Sequence, residues 1–60
     1  MFQITEFDPE SGCVIVEDEH FGLRYEFHAP NLLEAKIVND YDLLITTQDG
    51  ENKILPILSR

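Results

Sequence analysis

Positive charge is what this chain has least of: four Lys and Arg stand against twelve Asp and Glu, a net charge of -8 on 60 residues. So few cations exclude direct binding of nucleic acid or of anionic lipid, both of which are recognised through clustered Lys and Arg. Cysteine is almost as scarce. Cys13 stands alone, which excludes an intramolecular disulfide and suits a reducing compartment. No run approaches the roughly 18 apolar residues needed to cross a bilayer. The opening Met1-Phe2-Gln3-Ile4-Thr5-Glu6 has neither the basic region nor the apolar run of a secretory signal. A cytoplasmic protein without a membrane partner is expected. The three glycines, Gly12, Gly22 and Gly50, are isolated turn residues and form no phosphate cradle.

What is present is a foldable composition. The hydrophobic fraction of 43% is that of a globular protein rather than of an acidic tail, and residues 1–60 are expected to form a single domain. Its margin is thin. Burial of about 6,000 Å² contributes on the order of 90 kcal/mol, and ordering the chain at about 1.5 kcal/mol per residue costs about the same. With no disulfide to make up the difference, self-association is the expected support.

Turn signals recur at short intervals between segments rich in β-branched and aromatic residues, which predicts an all-β fold. The expectation is a small antiparallel meander of five to six strands, forming a curled sheet or a small barrel. Strands are predicted over Phe2 to Phe7, Cys13 to Asp18, Leu23 to His28, Leu32 to Val38, Tyr41 to Thr47 and Lys53 to Leu58. The fourth is ambiguous, because Asn31 could cap a short helix rich in Leu, Glu, Ala and Lys. Alternation of Leu33, Ala35 and Ile37 with Glu34 and Lys36 favours strand. Asn39-Asp40 reads as a two-residue hairpin turn, and the turn Gln48-Asp49-Gly50-Glu51-Asn52 contains the Asp-Gly hairpin signal, while Pro56 assigns the last strand to an edge. Tyr25, Phe27, Tyr41 and Phe7 are expected core or interface anchors.

Leu32, Val38 and Leu44 fall opposite the main apolar stripe, so a single open sheet would leave them uncovered. They are the residues expected to mediate self-association. The segment from Ile37 to Gly50 resembles the strand, turn, strand, Asp-Gly rhythm of a β-propeller blade, without the Trp-Asp and Gly-His pairs of the WD repeat. That resemblance implies that several copies would be needed to close a ring. No internal repeat is visible in the sequence.

The acids are uneven. Glu6, Asp8, Glu10, Glu17, Asp18 and Glu19 occur without an intervening Lys or Arg, and such a strip suits a basic protein surface. Glu17, Asp18, Glu19, His20 and Phe21 are the expected partner-binding residues, with Phe21 exposed at a hairpin tip. If the second and third strands pair through Glu19 to Gly22, Asp18 lies beside Leu23 and His28 beside Cys13. Cys13, His20, His28, Asp18 and Glu26 are thus the one grouping of zinc-ligand types. Since only two or three could meet on one face, no metal and no cofactor are expected. Negative neighbours disfavour a reactive thiolate at Cys13, and no enzyme is expected. The functional expectation is a non-enzymatic protein-interaction or assembly module that associates with itself. The alternative is an acidic inhibitor or DNA mimic that blocks a basic, nucleic-acid-binding surface.

Overall fold

The computed structural model describes residues 1–18 and 20–57. Six strands follow in order: β1 (Gln3–Asp8), β2 (Cys13–Asp18), β3 (Leu23–His28), β4 (Leu32–Val38), β5 (Asp42–Thr47) and β6 (Asn52–Pro56). They form two three-stranded antiparallel sheets, β1-β2-β3 and β4-β5-β6. Each sheet is a meander, but the described residues close into no barrel. The break falls at Ala29-Pro30-Asn31, where Pro lacks a ladder donor and Asn31 turns the chain with φ of 56°. A propeller blade is not formed either: blades have four strands, and the hairpin that resembles one belongs to a sheet of three.

The two halves share a plan that the sequence conceals. In each, the central strand directs alternate residues inward, Val14, Val16 and Asp18 from β2 and Leu43, Ile45 and Thr47 from β5, and all six are buried. Leu32, Phe2, Ala29 and Ile57 complete one core with the four aliphatic residues of that set. Tyr25 and Phe27 pack against this core, and the Phe2 and Tyr25 rings meet edge to face at 6.1 Å. Phe7 and Tyr41, the other two expected core or interface anchors, lie outside the buried core at 40% and 50% exposure.

Each first strand also carries a β-bulge, in β1 between Ile4 and Glu6 and in β4 between Leu32 and Glu34. A bulge adds a residue to one strand and reverses the parity of what precedes it. Leu32 is therefore carried inward and fully buried, whereas Leu33 is exposed. This corrects the expected placement of Leu32 on an uncovered face. The β4–β5 connection is a correction as well: Val38 pairs with Asp42, so the turn spans Asn39, Asp40 and Tyr41 rather than two residues. Asn39 and Asp40 do adopt positive φ, at 53° and 64°. The final strand ends at Pro56, and the part of its prediction that falls on Leu58 lies outside the described residues.

Candidate functional site

Sheet β1-β2-β3 turns an acidic face outward. Its ladder sets out three rows across the sheet: Asp8, Cys13 and His28; Glu6, Ile15 and Glu26; and Gln3, Glu17 and Arg24. Four carboxylates thus share a face with one Arg and one His. Ile15 is buried although it points outward, between the Glu6 and Glu26 positions, as expected where long side chains lay their methylene stems over an aliphatic neighbour. Glu17 accepts a hydrogen bond from the Thr5 hydroxyl at 2.6 Å. His28 Nε2–H donates to Glu26 Oε2 at 2.7 Å, and Arg24 Nη1 lies 3.9 Å from Glu26 Oε1.

Cys13 and His28 are direct cross-strand partners, and Asp18 pairs with Leu23. Cys13 Sγ, a Glu26 carboxylate oxygen and a His28 ring nitrogen all lie within 4.8 Å of one another. The thiol is pushed up from its ordinary pKa first by desolvation and then by Glu26, Glu6 and Asp8, against a smaller opposing effect of Arg24. A protonated thiol, an imidazole and a carboxylate therefore converge on the outer face. His20 is elsewhere, in the β2–β3 turn.

The expected partner-binding residues divide. Glu17 belongs to the acidic face, but Asp18 continues the inward alternation of Val14 and Val16 and is only 5% exposed. Its Oδ1 accepts the His20 backbone N–H at 2.9 Å, and its Oδ2 lies 3.7 Å from the N-terminal ammonium. Glu19 lies outside the described residues. His20 and Phe21 are exposed, their rings edge to face at 5.0 Å, and Phe21 is 72% exposed.

Phe21 and Asp18 in turn line a cleft of about 530 Å³ with Phe2, Leu23, Asp40 and Tyr41. Sequence reasoning did not find this cleft, since Asp40 and Tyr41 come from the second sheet and no local pattern joins them to Phe21.

The outer face of β4-β5-β6 is different. It presents Val38, Asp42 and Pro56 in one row, Lys36, Leu44 and Ile54 in the next, and Glu34, Thr46 and Asn52 in the third. Val38 and Leu44 are half-buried there, and Ile54, which the sequence analysis did not single out, is 61% exposed. Counting back from Pro56 along the alternation would have located it.

The four sheet edges are not alike. β1 and β4 carry the bulges, and β6 carries Pro56. The Ile57 N–H donates to the Tyr41 carbonyl at 2.8 Å, so by antiparallel alternation residue 56 faces away from β5. Proline there removes a donor from the free edge. Only β3, regular over six residues, has neither device. The Ala29 N–H bonds to the Gly12 carbonyl at 2.9 Å, so the same alternation directs the backbone groups of Arg24, Glu26 and His28 to the open side.

Comparison with protein-family models, with curated proteins and with solved structures finds no match for this chain. None of the described residues forms a helix long and apolar enough to cross a membrane.

Proposed function

We propose that this protein is a non-enzymatic interaction module that assembles with a second copy of itself by pairing β3 against β3. The observation that carries the reading is the β3 edge, the one among the described sheet edges with neither a bulge nor a proline. Exposed edges are ordinarily blunted by bulges or proline because their unpaired backbone groups template further pairing, and three of the four edges here are so blunted.

The sequence of β3 is also complementary to itself. In an antiparallel pair centred on Tyr25, Arg24 faces Glu26 of the second copy at two symmetric positions, and Leu23 faces Phe27. Opposite charges and apolar pairs at facing positions stabilise antiparallel ladders. Arg24 and Glu26 are the residues whose backbone groups point to the open side, so the same positions supply the hydrogen bonds. A two-fold axis through Tyr25 makes the contact isologous, and it joins two three-stranded sheets into one of six. Val38, Leu44 and Ile54 offer a weaker alternative, because Lys36 and Asp42 interrupt that face.

The experiment is the solution mass over a concentration series at low and high salt, by light scattering after size exclusion. A concentration-dependent dimer supports the reading, and a monomer throughout would overturn it. A cytoplasmic, reducing location is part of this proposal, since it keeps the thiol of Cys13 free.

A second reading has its own observation, the outer face on which Glu6, Asp8, Glu17 and Glu26 meet. That face suits a basic protein surface, as in an acidic inhibitor or DNA mimic, with binding that falls steeply with salt.

A further inference from the structure

We propose that Cys13, Glu26 and His28 form a binding site for one borderline-soft divalent transition ion, with zinc as the reference case, on the outer face of the first sheet. The backbone assembles the site. Cys13 and His28 face each other across the β2–β3 ladder, and Glu26 stands two residues before His28 on β3, on the same face by strand alternation. Three donor atoms of different kinds, S, N and O, are within 4.8 Å of one another.

Ligand atoms around a tetrahedral zinc, at bond lengths of about 2.0 to 2.3 Å, stand roughly 3.5 Å apart. Side-chain rotation on the order of an ångström closes the difference. Glu26 and His28 are exposed and Cys13 is half-buried, so an ion can enter from solvent. Thiolate and imidazole together select zinc, cobalt or copper over magnesium and calcium, which prefer oxygen alone.

Electrostatics favours occupancy by a cation. Glu6 and Asp8 lie in the neighbouring positions of β1, and their charges, unfavourable to a thiolate alone, are favourable to a dication beside it. Asp8 stands outside this group of three in the resting structure, and its Oδ1 accepts the backbone N–H groups of Glu10 and Ser11. The fourth position is left to water. The ion displaces the His28–Glu26 hydrogen bond of 2.7 Å and takes both former partners as ligands: the Cys13 thiol releases its proton to solvent, and the imidazole binds through Nε2 as its Nδ1–H tautomer. The site does not rest on the assembly reading, since its three ligands belong to one chain.

The test is a titration of the full chain with cobalt(II) in the presence of a reductant that is not a thiol, followed by displacement with zinc. One ion per chain is expected, with a sulfur-to-cobalt charge-transfer absorption that Cys13→Ser abolishes. His28→Ala should weaken binding on the order of a hundredfold and Glu26→Gln by about tenfold or more, losses at least as large as those seen when groups supporting a metal ligand are removed. His20→Ala should leave binding unchanged. Residues 26 and 28 are exposed, so circular dichroism of these variants should match the parent and tie any loss to the ligand. Absence of the charge-transfer band at saturating cobalt, equal affinity in His28→Ala, or half an ion per chain would each overturn the site.

Discussion

Gly12 and Ala29 lock the end of the first sheet together: the Ala29 N–H donates to the Gly12 carbonyl at 2.9 Å, and a Cβ on residue 12 would press on the Ala29 carbonyl oxygen inside van der Waals contact. Gly12 also holds φ at +76°, and its own N–H donates to Asp8 O. The left-handed conformation costs an L-residue about 1 to 2 kcal/mol, and here backbone rather than a flexible side chain is in the way. Gly12→Ala should therefore destabilise the fold by about 3 kcal/mol or more. Gly22→Ala has the same sign of φ but open space around it, so it should cost about 1 kcal/mol. Urea denaturation of both variants checks the contrast, and equal losses would contradict the close approach.

Leu32 and Leu33 are neighbours with opposite fates. Leu32 is fully buried between the sheets and Leu33 is 55% exposed, because the bulge falls between Leu32 and Glu34. Leu32→Ala should cost about 2 to 5 kcal/mol, enough to unfold much of a domain this small. Leu33→Ala should stay within about 0.5 kcal/mol. A reversal in thermal or urea melts would mean that the strand lacks its bulge.

That pair shows where the sequence was legible and where it was not. β2, β3 and β4 begin and end where the flanking turn chemistry places them, next to Gly12, Gly22 and Asn31, all at positive φ. The neighbourhood of Cys13 and His28 followed from counting across the Glu19 to Gly22 connection, because an unbulged hairpin conserves register. A bulge leaves no mark in composition: nothing in Leu32-Leu33 says which one turns inward. The division into two sheets depends on whether β4 finds β3 or leaves it, a long-range choice that local alternation does not encode. The duplicated plan was invisible for a related reason. Val14 and Val16 answer to Leu43 and Ile45 only through their shared inward direction, and the turns around them differ in length and chemistry.

Two turn aspartates should make stability depend on acid. The Asp8 carboxyl is held below its ordinary pKa by the Ser11 side chain first, then by backbone N–H groups of Ser11 and Glu10. The Thr47 hydroxyl, the largest influence on Asp49, lowers that carboxyl, and donates to it directly. A depressed folded-state pKa means that the unfolded chain binds more protons as the pH drops below about 4, so this stabilisation is present above that pH and lost on further acidification. General repulsion in a chain of net charge -8 has the opposite sign, because protonation relieves it. The measurement must therefore be a difference: Asp8→Asn and Asp49→Asn should each flatten the loss of urea midpoint between neutral pH and pH 3 relative to the parent. Carboxyl NMR titrations showing both residues protonating along with the other aspartates would contradict the turn geometry.

Arg24 and Glu26 supply the sharpest test of assembly through β3, because register and net charge make opposite predictions for one of them. In the Tyr25-centred pair each Arg24 faces Glu26 of the second copy, so Arg24→Glu sets like charges opposite each other at two symmetric positions. Glu26→Arg does the same with the other sign. If the register holds, either variant weakens the dimer by about tenfold or more, since facing charges change from attraction to repulsion at both positions. If only overall repulsion governs association, Arg24→Glu weakens the dimer and Glu26→Arg strengthens it, because the second reduces the net charge of -8. The double variant Arg24→Glu, Glu26→Arg restores the complementary pairs with their signs exchanged and should recover most of the parent affinity. Sedimentation of the four proteins at equal concentration and moderate salt separates the accounts. Both side chains are exposed on the outer face, so the substitutions leave the core untouched and a change in mass reports on the edge itself.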